Sequence, residues 1–174
     1  FRTGYVFSDR DLIDWGTNPI PQDRPPLPDS HQDLLVALFT AVQASGVGFR
    51  FERHIMGAHA YYSPVHHEIV MREDRDSHNQ ILILLHEWAH ALFHREARDA
   101  PKAQKEFEAE VVSMVMSHVL GVDHPIAGDY LLSYGATAEQ LMGSMSHIHR
   151  LVGVMSGHLG VKRREADGER NNNA

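Results

Sequence analysis

Ile81-Leu82-Ile83-Leu84-Leu85-His86-Glu87-Trp88-Ala89-His90-Ala91-Leu92-Phe93 is the stretch from which the rest of the chain is best read. Its length and nearly continuous apolar character predict a buried helix. Within it, residues 86–90 have the form H-E-x-x-H. Side chains four apart share one face of a helix, so both imidazoles can point at one ion. Glu87 lies roughly 100° further round. That is close enough to hold a water on the metal without ligating it. The pattern therefore offers two metal ligands and a general base for metal-assisted hydrolysis. Among 14 His and 11 Glu, chance alone yields about 0.07 such matches, so context has to decide. Here the context is apolar. Three unpartnered polar groups in a buried helix cost several kcal/mol, and a bound metal removes that cost.

Cysteine is absent, so a third ligand has to be His or a carboxylate. The next helical stretch supplies Glu106-Phe107-Glu108-Ala109-Glu110. Two arrangements compete. Glu106 and Glu110 lie one turn apart on the same stripe as Ser113 and Ser117. In that arrangement Glu106 binds the metal and Glu110 accepts the Nδ1–H of a ligating histidine. Alternatively Glu108, on the opposite side among Val111, Val112, Val115 and Val119, is the buried ligand and the Glu106/Glu110 stripe faces water.

Outward from the motif, the pattern predicts one α+β domain over 29–160. Asp29-Ser30 caps a helix over 31–45, stopped by Gly46. Three β-like segments, 47–52, 58–62 and 68–72, suggest a small antiparallel meander. Asp76-Ser77 caps the motif helix, and further helices cover about 102–120, ending at Gly121, and 138–158. Residues 1–28 read as a short strand (Arg2 to Phe7) followed by a proline-rich arm, and 161–174 as a disordered tail. The chain opens on Phe1, which predicts a piece of a longer protein.

The composition narrows the function. A charge of −7 argues against a dedicated nucleic-acid binder, which needs a cationic face. The absence of cysteine excludes disulfides and a thiol nucleophile, and suits a cytoplasmic location. No apolar run reaches the ~20 residues of a membrane span. Tyr130 and Tyr134 are better read as packing than as oxyanion donors. The Ala58–Tyr62 strand is either an ordinary strand or an edge on which a peptide pairs. His66 and His67 read as exposed, His94 as flanking the motif, and Met142, Met145 and Met155 as core filling.

His86-Glu87-x-x-His90 followed by a Glu-x-x-Ala-Glu helix resembles the gluzincin-type zinc metallopeptidases. The likeness is greatest to the metallopeptidase domain of ArdC-like antirestriction proteins and their ImmA/IrrE relatives. Phe1 to Phe7, the proline-rich arm, Glu106 to Val112 and Leu120-Gly121-Val122-Asp123 carry it across most of residues 1–158. Anthrax lethal factor has a similar Glu-Phe-x-Ala-Glu helix whose first Glu binds zinc. The resemblance thus implies Glu106 as third ligand beside His86 and His90, Glu110 behind the histidine, Glu87 as base and Zn2+ as cofactor. It implies a zincin-like fold and an endopeptidase acting on a protein or peptide through a metal-activated water. Such chains often carry a single-stranded-DNA-binding domain upstream, so the resemblance implies single-stranded DNA as a partner through a domain expected before Phe1. The alternative is a non-catalytic antirestriction or interaction module, for which the acidic surface would compete with DNA for a basic protein. The residues carry no signal for the oligomeric state.

Overall fold

The indole N–H of the fully buried Trp88 donates to Ser45 Oγ at 2.9 Å, tying the motif helix to the end of the first helix. Ser45 Oγ in turn donates to the carbonyl of Val42 at 2.6 Å, so the one polar atom of the tryptophan is satisfied inside the core. The computed structural model describes residues 31–55, 58–73, 76–93, 100–124 and 137–161. In chain order these form α1 (His31–Ala44), β1 (Gly48–Glu52), β2 (Ala60–Ser63), β3 (Glu68–Arg72), α2 (Ser77–Phe93), α3 (Lys102–Val119) and α4 (Ala138–His158). The expected strand and proline-rich arm at 1–28, the Asp29-Ser30 cap, His94, Tyr130, Tyr134 and the tail from 162 on lie outside the described residues.

α2 is the centre of the packing. It starts at Asp76, whose Oδ1 accepts the backbone N–H of Asn79 at 3.0 Å. Ile81, Leu84, Leu85, Trp88 and Ala89 are completely buried. They join Leu35, Leu38 and Val42 of α1, Val112 and Met116 of α3 and Met155 of α4 in one core. Burying side chains of this size contributes about 1.5–3 kcal/mol each. Met155 fills core as expected; Met142 does not, being 75% exposed on α4. Among the described residues, no helix is long and apolar enough to cross a membrane.

The sheet corrects one expectation. It is mixed rather than an antiparallel meander, with strand order β1-β3-β2. β3 pairs antiparallel with β2, Tyr62 opposite Ile69, and parallel with β1, Phe49 beside Ile69. Alternation along a strand reports its existence, not its direction. Ile69, Val70 and Met71 are all fully buried, and such a continuous apolar run belongs in the middle of a sheet. Among the described residues, β2 is thereby left at an edge. Gly48 meets β3 so closely that a Cβ there would lie 3.0 Å from the Cβ of Glu68, so a larger residue would push the two strands slightly apart.

Candidate metal centre

The α2 backbone carries His86 and His90 on the side turned toward α3. The two helices approach closely because Ser113 of α3 donates its hydroxyl to the carbonyl of Leu82, 3.2 Å away on α2. That carbonyl lies one helical turn before His86. Glu106, in the second turn of α3, then falls opposite both histidines.

Nε2 of His86 and Nε2 of His90 are 3.0 Å apart. Glu106 Oε2 lies 3.5 Å from the first and 3.6 Å from the second. These three residues form the group, among the described residues, whose donor atoms all lie within 4.8 Å of one another. Three donors at bonds of about 2.0–2.1 Å in a tetrahedral arrangement stand about 3.3–3.4 Å apart. The observed edges straddle that value, so the donor set fits a divalent ion.

Behind His86, Glu110 Oε2 lies 3.0 Å from Nδ1. A carboxylate there holds a proton on Nδ1, which leaves Nε2 as the nitrogen that a metal would take. Burial works against charge on His86, but hydrogen bonds to Glu106 and Glu110 and the Glu87 carboxylate outweigh it and raise its pKa to about 9. The His86 and His90 hydrogen bonds hold the Glu106 carboxyl far below the usual carboxylate range. Three carboxylates around two imidazoles thus create a site that demands a cation, whether protons or a metal.

Glu87 reaches the backbone of β2. Burial pushes its carboxyl above the ordinary range, while the charge on His86 and a hydrogen bond from the backbone N–H of Tyr62 pull the other way. Glu87 is therefore tethered to β2, which is an edge strand among the described residues. Glu108 does not join the cluster. It is 3% exposed on the α4 side of α3, where Ser144 Oγ donates to its Oε1 at 2.6 Å and Gln104 Nε2 at 3.0 Å. The Glu106/Glu110 stripe faces the histidines instead of water.

One neighbour of the site was not singled out in the sequence. His124 places Nε2 at 3.8 Å from Glu110 Oε1, the oxygen that His86 does not use. The available signal was Gly121, whose positive φ of 73° turns the chain at the end of α3. In a chain with 14 histidines that signal is too weak to select this one.

No protein-family model matches the sequence, and a comparison with curated proteins found no match. The fold is similar to the Mn(II)-bound crystal structure of antirestriction protein ArdC from plasmid R388, with a TM-score of 0.53 and 19% identity. The match covers 79% of this chain and 56% of that one, so this chain spans little more than half of the other's length. At this identity the likeness concerns the fold.

Proposed function

We propose that this chain is a zinc-dependent metallopeptidase that hydrolyses peptide bonds in a protein substrate. The observation that carries the proposal is the convergence of His86, His90 and Glu106 donors within 4.8 Å, with the acid of Glu87 adjacent in the chain. His86, His90 and Glu106 would hold the ion, and Glu110 orients His86 from behind. Once bound, a divalent ion lowers the pKa of a water and polarises a carbonyl oxygen. Zinc suits an imidazole-rich set with an acidic base beside it. The same donors accept Mn(II), the ion present in the ArdC structure.

The chemistry left to the chain is proton transfer. The Glu87 carboxylate takes a proton from the attacking water and delivers it to the departing amine nitrogen. Burial raises the pKa of this carboxyl, which makes it a better proton acceptor than an exposed glutamate. The edge position of β2, whose Tyr62 N–H already reaches Glu87, favours an extended peptide as the substrate. The decisive experiment compares Glu87→Gln with His86→Ala on an unfolded protein substrate. Loss of cleavage in both, with metal retained only in Glu87→Gln, supports the peptidase.

A second reading is a non-catalytic antirestriction or interaction module built on the same metal-bound fold. It is favoured by the likeness to an antirestriction protein and by the charge of −7. If Glu87→Gln keeps full biological activity, this reading replaces the first.

A further inference from the structure

We infer that two copies of this chain pair through the open edge of β1, joining their sheets antiparallel about a two-fold axis at Phe51. The inference does not depend on the metal site.

Among the described residues, β1 pairs with β3 alone. Gly48 N–H donates to the His67 carbonyl at 2.9 Å, and along a strand the residues that bond one neighbour alternate. Gly48, Arg50 and Glu52 therefore turn their backbone groups to β3, whereas Phe49 and Phe51 turn theirs outward. The register with β3 runs from Gly48 to Glu52 without a bulge, and no proline interrupts it, so neither device blunts this edge. Apolar surface lies beside it. Phe51 is 40% exposed although its ring packs edge-to-face on Phe39 and Phe49. Val36, one turn before Phe39 on α1, is 54% exposed.

Parity and charge select the occupant and its register. Outward backbone groups have to meet outward groups, so in an antiparallel self-pairing the two-fold axis passes through a residue, not between two. Centred on Arg50 it sets two arginines opposite each other, and centred on Glu52 two glutamates. Centred on Phe49 it leaves Arg50 opposite a glycine. Centred on Phe51 it sets Arg50 opposite Glu52 of the partner and Glu52 opposite Arg50 of the partner, two ion pairs from one symmetry operation. Within one chain Arg50 already pairs with Glu52, and its Nε lies 3.3 Å from Glu68 Oε1. The pairing thus completes a ring of charges alternating in sign on one face of the sheet, while the two Phe51 rings meet on the other. Two three-stranded sheets become one of six, with the β2 edges at its two ends. A five-residue edge buries less than the roughly 1,600 Å² of a standard interface, so the dimer should come apart on dilution.

The test is sedimentation velocity of the full chain over a dilution series, for wild type, Arg50→Glu, Glu52→Arg and the double variant R50E/E52R. Wild type should pass from monomer to dimer as concentration rises. Either single exchange sets like charges opposite each other at two places and should weaken dimerisation about tenfold. The double exchange restores opposite signs and should recover the wild-type affinity to within about threefold. A monomer at every concentration overturns the inference, and so does a dimer indifferent to both single exchanges or not recovered by the double one. Arg50→Glu also places a carboxylate beside Glu68 of its own chain. If that variant does not fold, cysteines decide, since the chain has none of its own. Arg50 and Glu52 of the partner form a non-hydrogen-bonded pair with Cα atoms about 4.5 Å apart, within disulfide reach. A mixture of Arg50→Cys and Glu52→Cys should therefore oxidise to linked dimers at least about tenfold faster than either variant alone. Equal rates overturn the inference. Amide exchange at Phe51 separates the other occupants. Protection that grows with protein concentration supports a second copy. An exchange rate that is the same at every concentration means that a segment of the same chain, or nothing, fills the edge, and it overturns the inference.

Discussion

Glu106 Oε2 stands 3.5 Å from Nε2 of His86, although the two residues belong to different helices. The pair spans the α2–α3 interface, and His90 closes the triangle from the same helix as His86. An ion at that place would be held by both helices at once, which would link loading of the site to packing of the helices.

Removing one corner should therefore empty the site. His90→Ala and Glu106→Ala are expected to weaken metal binding at least about 100-fold, the upper end of what outer-shell changes cost. Metal analysis of the purified variants beside wild type checks this. Retention of a full equivalent by Glu106→Ala excludes that residue as a ligand.

Glu87→Gln keeps the shape of the side chain and removes its basicity. Peptide hydrolysis should fall by about 10²–10⁴, the usual contribution of a general base. The metal content should not change. Equal loss of metal and activity would mean that Glu87 maintains the site and performs no proton transfer.

The metal-free and loaded proteins should respond oppositely to alkali. His86 titrates near 9 in the ion-free cluster, against an ordinary value of 6.5. A raised pKa contributes stability that is complete below about 6.5 and lost as pH climbs through about 9. Thermal melts of chelator-treated protein should thus drop across that window. Apparent zinc affinity should rise over the same window, because protons compete for Nε2. A metal-free melting temperature that is flat from 6.5 to 9 contradicts the paired state of His86.

Ser144→Ala withdraws a donor from the buried carboxylate of Glu108. The cost should be about 1–3 kcal/mol of unfolding free energy, read by urea denaturation. Zinc affinity should stay at the wild-type value, since Glu108 lies on the other side of α3. A large change in affinity would bring Glu108 back into the site.

The helices were legible because their periodicity and stops are local. Gly46 takes φ 82° just after α1, and Gly121 takes 73° just after α3, where the pattern of apolar residues ends. The site was legible only in part. His86 and His90 share a face by helix geometry alone, so their convergence follows from the spacing. Which glutamate of 106, 108 and 110 meets them depends on the rotation of α3 against α2, set by Ser113 reaching the Leu82 carbonyl. No feature of α3 taken alone encodes that rotation. Strand direction was lost for a related reason. The partner of Phe49 is Ile69, twenty positions on, and alternation carries no information about so distant a pairing.

Because the central strand of the sheet is the last of the three to be synthesised, β1 and β2 emerge from the ribosome with no partner on the side that β3 will occupy. Until Glu68–Arg72 emerges, the ladder edges of Gly48–Glu52 and Ala60–Ser63 are open. A nascent chain stalled before that point carries Phe49 and Phe51 on an unpaired edge, the condition under which growing polypeptides stick to one another or recruit a chaperone.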